Sequence, residues 1–435
     1  MKMYGACHTA EADIGMLYYL TDRPGTGGRL KASAEDFVVD EVSDTPAPSD
    51  NGKYTIADVT SCNWETNRMV RLLARTMRIS RERIGFAGTK DKRAVTTQRM
   101  SFECEPERFD LVDLKDLSFS NIYRSDRAVR LGDLKGNRFR ITARDLTVSD
   151  AEAKETVDAV LETIGEVGGF PNYFGVQRFG TARPVTHLVG ERLVRGDIKG
   201  AVDTYLFHPS ELEGDDIKEA RAMLKACDGD YSSVGELPKL MGYEKILVDH
   251  LARKPEDYIG AISEMPNNLQ MMFTHAYQSY IYNLIISERM ARGLPLNRPI
   301  VGDTVIPVNG DGVPMHEEPS TVTEKNLRLV ERQVSRGRAF VAATVFGSDG
   351  MFSEGEMGEI ERGIIEAQKL KKDDFVIPGL PHCSAKGNWR EMVCTVNDLK
   401  ADFGEGSYSM SFYLTKGNYA TCLMREFLKT DMNRY

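Results

Sequence analysis

The chain has 435 residues, more than one hydrophobic core ordinarily serves, so two or three domains are expected. Its 41% hydrophobic and 28% charged residues fit a globular protein, and no run approaches the roughly 20 apolar residues that span a bilayer, which excludes a membrane-spanning helix. The formal net charge of -9 at first sight argues against a nucleic-acid partner, because phosphate binding is driven by Lys and Arg releasing counterions.

In chain order, Phe37 to Val42 and Lys53 to Ala57 alternate as strands do, with a surface loop from Asp44 to Gly52 between them. From Trp64 to Arg78 the pattern is helical. Met69, Val70, Leu72, Leu73 and Met77 share one stripe, Arg68, Arg71, Arg75 and Arg78 share another, and Thr66 or Asn67 can cap the start. Ile84 to Ala87 and Thr96 to Phe102 read as short strands, which leaves the residues between them in a loop. A further strand fits Arg138 to Thr142, and helices fit Val148 to Ile164, Asp216 to Cys227, Asn268 to Arg292 and Met357 to Leu370. Gly293 closes the longest of these. Ser407 to Leu414 is a final strand. Turn-rich joints at Gly168 to Pro171 and Pro378 to Gly387 mark divisions. Strands at both ends around a mostly helical middle imply an α+β body interrupted by a large insertion.

The octet Met1 to His8 has no apolar core of signal-peptide length, so a cytoplasmic protein is expected. Cys7, Cys62, Cys104, Cys227, Cys383, Cys394 and Cys422 are scattered without Cys-x-x-Cys spacing, and the pair His382-Cys383 lacks a second pair of ligands. No metal is expected. Charge is unevenly spread: between Asn67 and Arg99 ten basic residues face only Glu82 and Asp91, and from Arg124 to Arg144 seven face only Asp126 and Asp133. The acid collects elsewhere, at Glu211 to Glu219 and Glu354 to Glu361. One basic face would suit RNA better than the total suggests, although two solvated amphipathic faces give the same counts.

Within the first basic run, Asp91 is the lone carboxylate of Phe86-Ala-Gly88-Thr-Lys90-Asp91-Lys92-Arg93-Ala94-Val-Thr96-Thr-Gln98. An aspartate among fixed cations stays ionised and can act as nucleophile or base. Taken alone, such a residue is usually a surface ion pair. However, Gly88, Lys90, Asp91, Ala94, Thr96 and Gln98 match in register the pattern Gly-x-Lys-Asp-x-x-Ala-x-Thr-x-Gln, which resembles the signature of the TruD family of RNA pseudouridine synthases. Further blocks agree in order: Lys31 to Phe37, Leu134 to Phe139, Pro171 to Gly180, Ala276 to Tyr280, and Lys416 to Thr421 with Arg425-Glu426.

The resemblance implies a pseudouridine-synthase-type catalytic domain with a mixed or antiparallel sheet, formed by residues 1–168 and 392–435 around a TruD-type insertion domain at 169–391. It implies isomerisation of a tRNA uridine, at position 13 near the D arm. That reaction transfers no electrons and imports no group, so no cofactor is expected; no protein partner is indicated, and a monomer is expected. Asp91 would be the catalytic carboxylate and Lys31 its paired cation. Phe37 and Tyr419 would contact the flipped nucleotide, Asn137 would position the substrate or the carboxylate, and Phe139 would wall the base. Tyr419 stands where the family more often has Phe. By pattern alone Phe37 and Phe139 are core residues and Asn137 a turn residue. The Pro171 to Gly180 block and Tyr277, Tyr280 and Tyr282 read as packing, outside the site.

Rival readings are weaker. Gly85 to Lys90 does not satisfy Gly-x-x-x-x-Gly-Lys-Ser/Thr, and Gly25 to Gly28 has Leu30 where dinucleotide binding needs a third glycine. An N-glycosidic hydrolase wants a second carboxylate to activate water, and Glu103 and Glu105 lie beyond the following strand. A non-catalytic RNA-binding protein is the rival of another class.

Overall fold

The computed structural model describes residues 4–310 and 312–435. The chain forms two compact units. One joins Arg23–Gly165, Cys394–Thr430 and Arg434–Tyr435; the other joins Met1–Asp22, Glu166–Val393 and Asp431–Asn433.

Along the first segment run β1 (Phe37–Ser43), β2 (Tyr54–Cys62), α1 (Thr66–Met77), β3 (Ile84–Phe86), β4 (Val95–Phe102), β5 (Leu117–Ser125), β6 (Leu134–Arg144) and α2 (Asp150–Val167). The middle of the chain carries α3 (Thr186–Val194), α4 (Ile198–Phe207), α5 (Asp215–Ala226), α6 (Gly242–Arg253), α7 (Tyr258–Ser263) and α8 (Asn267–Ala291). These are followed by β7 (Thr304–Pro307), β8 (Ser320–Thr321), α9 (Leu327–Ser335), β9 (Ala339–Val345), α10 (Gly355–Ala367) and β10 (Asn388–Glu391). The return segment supplies β11 (Asn397–Gly404), β12 (Ser407–Thr415) and α11 (Ala420–Leu428).

The first unit is built on an eight-stranded mixed sheet in the order β11-β12-β6-β1-β4-β2-β5, with β3 also paired to β4. Strands β1 and β4 run parallel; the other pairs are antiparallel. Strand β12 from the return segment lies against β6 over nine residue pairs, from Ser407 opposite Arg144 to Thr415 opposite Gly136. This long ladder joins the two separated stretches of sequence. Only glycine fits at position 136, where a Cβ would lie 2.2 Å from the carbonyl oxygen of Leu414.

Helix α1 covers part of one sheet face. Its Met69, Val70, Leu73, Ala74 and Met77 pack on Ala57, Val59, Met100 and Phe102, as the apolar stripe requires. Leu72 is only half-buried, at the stripe's edge, and Arg68, Arg71, Arg75 and Arg78 are exposed on the opposite face. The cap differs from the expectation: Glu65 rather than Thr66 or Asn67 ends the helix, its carboxylate accepting from the Asn67 and Arg68 amides at 2.8 Å each. A glutamate reaches two amides at once, and Thr66 is thereby released for a contact in the site.

The second unit is helical around α8, with a four-stranded sheet in the order β8-β7-β9-β10. Its helical core includes Val189, Leu193, Val202, Leu206, Leu224, Leu247, Leu251 and Phe273. Tyr277 and Tyr282 are buried on α8, as expected of packing residues, and Tyr280 is half-buried. A mostly helical α+β insertion was expected, but the strands of this small sheet were not located in the sequence. Residues of Met1–Asp22, which the sequence boundaries put with the first catalytic portion, group with this unit. Polar side chains of α8 satisfy their backbone: Asn283 donates to the Ile14 carbonyl at 2.9 Å, Ser287 donates to that of Gly15 at 2.8 Å, and the Leu17 amide donates to Ser287 Oγ at 3.1 Å. Among the described residues no helix is long and apolar enough to cross a membrane.

Burial opposes ionisation of Glu65, but its two amide bonds and the field of Arg71 hold the carboxyl below the ordinary glutamate range. A depressed value places its stabilisation above the unfolded pKa and removes it as the pH falls through the folded one. Glu65→Ala should therefore cost about 1 kcal/mol in urea unfolding at neutral pH, and the gap to wild type should shrink as the pH falls below about 4.

Candidate active site

The loop between β3 and β4 is held at two points. The Lys90 amide donates to Thr66 Oγ1 at 2.9 Å, and the Asn63 amide donates to the Ala94 carbonyl at 3.0 Å. The Lys90 side chain turns inward and its ammonium pairs with Glu41 Oε2 on β1; the two side chains are 4% and 1% exposed. Next in sequence, Asp91 keeps 39% of its side chain exposed and accepts from Lys31 Nζ at 3.3 Å. Thus one residue of the loop is sunk into the sheet and its neighbour is left accessible.

Lys31 occupies the left-handed backbone region, with φ of 54°. That conformation is uncommon for a long side chain and is tolerated where surrounding contacts fix it. Here the neighbouring Leu30 amide donates to the Arg434 carbonyl at 2.7 Å, and the Lys31 ammonium lies 4.2 Å from the centre of the Phe37 ring. Phe37 meets Phe139 edge to face with ring centres 6.2 Å apart, and Phe139 stacks on Phe412 at 5.3 Å. Asp91, Lys31, Phe37 and Phe139 therefore form one continuous line of contacts.

Phe37 and Phe139 are buried, at 2% and 9% exposure. The observed partner of the Phe37 face is the Lys31 ammonium, an attraction between a cation and the ring's negative face. Asn137 is placed by strand register and Tyr419 by the end of the strand before α11. Asn137 lies opposite Glu41 on one side and Leu414 on the other, and its buried Oδ1 has no hydrogen-bond partner. Tyr419 is half-buried at the N-cap of α11, five residues beyond Leu414.

Sequence reasoning missed the polar floor of this site. Glu41 Oε1 and Gln98 Oε1 are buried without partners, as is Asn137 Oδ1. The register aligns the residues before and around them, Asp40 opposite Thr97 and Glu41 opposite Asn137, so β6, β1 and β4 bring these oxygens onto one face. The signal was available: in the alternation Phe37, Val39, Glu41 the inward position is taken by a carboxylate.

Basic residues divide into spent and unspent charge. Arg99 pairs with Asp58 at 2.8 Å, Lys90 with Glu41, and Arg83 with Glu103 at 3.5 Å. Among the described residues Arg71, Arg75, Arg78, Lys92 and Arg93 form no ion pair, and all five are exposed. In the second basic run Arg124, Arg127, Lys135, Arg138 and Arg144 are paired with Glu105, Asp133, Asp44, Asp398 and Asp36. Among the described residues Arg130 and Arg140 of that run are exposed and in no ion pair, so unpaired cations remain in both runs, more of them on α1 and the Asp91 loop.

The family model described as tRNA pseudouridine synthase D (TruD) matches residues 13–427. The chain belongs to the TruD family. Among its relatives, a "Probable tRNA pseudouridine synthase D" of Methanococcoides burtonii is 41% identical over 97% of each chain. Another, of Halobacterium salinarum, is 37% identical over 97% of this chain and 98% of the relative. A solved structure from Methanosarcina mazei, described under the name tRNA pseudouridine synthase D (TruD), superposes with a TM-score of 0.86 at 37% identity, covering 98% of this chain and 100% of that one. The mixed sheet of the first unit is thus set within the TruD fold.

Removing one member of a buried ion pair strands the other in a poorly solvated place, whereas removing both does not. Lys90→Met should destabilise the protein by about 3–5 kcal/mol, and Lys90→Met with Glu41→Leu should recover much of that loss. Urea unfolding of the two single variants and the double variant measures the coupling; additive losses would contradict the pairing.

Proposed function

We propose that this TruD-family protein isomerises a uridine in tRNA to pseudouridine, at position 13 near the D arm, with Asp91 as the catalytic carboxylate acting on a flipped-out nucleotide. The observation that carries the reading is the ion pair of a half-accessible Asp91 with Lys31, beside buried aromatic rings and unpartnered acceptor oxygens. Relatives named as tRNA pseudouridine synthases support the substrate class.

The reaction breaks the bond from N1 of uracil to C1′ of the ribose and forms one from C5 to C1′. The C5 proton leaves and N1 gains one, so no electrons and no outside group are needed. A carboxylate can attack the anomeric carbon or the base and can accept a proton afterwards. Lys31 pairs with that carboxylate and holds it in place. The detached uracil has to be held against diffusion and the sugar kept from water. Phe139, with Phe37 beneath Lys31, walls that space; Tyr419 contacts the nucleotide; and Asn137 Oδ1 accepts a hydrogen bond from an N–H of the base. The free arginines of α1 and the loop cations meet phosphates that flank the extruded nucleotide.

Incubation with total tRNA lacking the modification, followed by mass spectrometry and pseudouridine mapping, should give one new pseudouridine at position 13 with the tRNA mass unchanged. Free uracil would identify a hydrolase instead, and unaltered tRNA would remove the assignment. Lys31→Met should lower the single-turnover rate by about ten- to a hundred-fold, the worth of a charge-assisted hydrogen bond, while tRNA affinity in filter binding changes little. Wild-type turnover in that variant would show that the carboxylate does not depend on its cation.

A further inference from the structure

The Pro171 to Gly180 block belongs to the second unit, where it opens onto a cavity of about 560 Å³. Phe174 and Arg178 supply one wall. His275, Gln278 and Ser279 of α8 supply another, and His316 with the segment Ser384 to Arg390 completes it. Three fixed cations line this space, Arg178, Lys386 and Arg390, and no carboxylate does.

The cations are set in different ways. Arg390 is held from behind, donating from Nη2 to Asn172 Oδ1 at 2.7 Å, with its guanidinium 4.2 Å from the centre of the Phe174 ring. Arg178 lies over the same ring at 5.3 Å, and its buried Nε has no hydrogen-bond partner. Among the described residues no carboxylate pairs with Arg178. Lys386 is exposed and reaches Asp349 only at 3.9 Å. Beside them Glu391 accepts at 2.9 Å from His316 and favours its charged form, while burial and then the nearby Arg178 charge push His275 toward neutrality. Further donors are the Ser384 hydroxyl, whose oxygen already accepts the Ile377 amide at 2.9 Å, and the Asn388 amide group, whose Oδ1 accepts from the Trp389 amide at 2.8 Å.

A buried guanidinium nitrogen without a partner is costly unless a ligand completes it. A lining of cations and neutral donors with no acid selects an anion, and the planar fork of arginine suits a tetrahedral oxyanion. Of the three cations, Lys386 is exposed, so the lining presents a charge to solvent. We propose that this cavity is a phosphate subsite, in which Arg178, Lys386 and Arg390 grip a backbone phosphodiester of bound RNA. The inference rests on the tRNA reading for its RNA, and its test separates the two.

The test is the salt dependence of filter binding of an unmodified tRNA transcript to the full-length protein, from 50 to 300 mM KCl, for wild type, Arg178→Gln, Arg178→Lys and Lys386→Ala. Arg178→Gln should weaken binding about ten- to a hundred-fold and flatten the log–log salt slope by about 0.7 to 0.9, one phosphate's worth of counterions. Arg178→Lys should restore the slope but only part of the affinity. If Arg178→Gln fails to fold by circular dichroism, Lys386→Ala carries the same slope prediction. Slopes equal to wild type in folded variants overturn the subsite. Calorimetry with uridine monophosphate and with inorganic phosphate supplies the other arm. Tight binding of either that Arg178→Gln abolishes, with tRNA binding untouched, would overturn the RNA source in favour of a free phosphate ligand. A wild type that binds tRNA with the Arg178-dependent slope but makes no pseudouridine would sink the catalytic reading and leave the subsite standing.

Discussion

Burying an ammonium and a carboxylate together, as Lys90 and Glu41 are buried, costs several kcal/mol of hydration, and their attraction offsets this only when geometry holds them in contact. The protein accepts that cost one residue away from Asp91. Lys90 cannot swing outward without leaving Glu41 unpaired in the sheet, and its amide is tied at the same time to Thr66 on α1. A loop residue thereby acquires the rigidity of a strand. The consequence is positional: Asp91 is delivered to Lys31 by an anchor beneath it rather than by packing of its own side chain.

Electrostatics then divides the labour. Lys31 meets Asp91 and rests on the Phe37 ring, so the cation is shielded on one side and the carboxylate stays open on the other. Low polarity around the rings strengthens this attraction relative to water. The buried oxygens of Glu41, Gln98 and Asn137 offer acceptors in a place where apolar residues would have been the stable choice, and such local departures from good packing are typical of sites that bind something. The global charge of -9 does not oppose an RNA partner, because among the described residues a group of exposed cations outside any ion pair lies on α1 and the adjoining loop.

Much of this arrangement was legible in the sequence, and the losses have definite causes. Period-two and period-3.6 patterns located β1, β6, β12 and α1, because each buries one face, whereas α8, buried nearly all round, was read from its length and its closing glycine. The cap of α1 was misassigned since glutamate is a weak N-cap by preference, and only the three-dimensional reach of its side chain to two amides reveals it. The small sheet of β7 to β10 escaped notice because β8 and β10 are very short and β7 and β9 are buried on both sides, with no alternation to see. Asp91, Lys31, Phe37 and Phe139 came from motif resemblance and meet in space. Glu41 and Gln98 did not: the alternation marks Glu41 as an inward carboxylate, but that it meets Lys90 and shares a face with Gln98 follows only from strand register. Charge counting overstated the basic face for the same reason: pairings such as Arg138 with Asp398 join distant parts of the chain.

Formation of the bond from C5 to C1′ expels the C5 hydrogen, so tritium placed at C5 of the uridines in unmodified tRNA reports each completed isomerisation. Wild-type protein should release one tritium for every pseudouridine formed, with no free uracil, and Asp91→Asn should bind the same tRNA and release none. Tritium release by Asp91→Asn at the wild-type rate would contradict the claim that this carboxylate performs the chemistry.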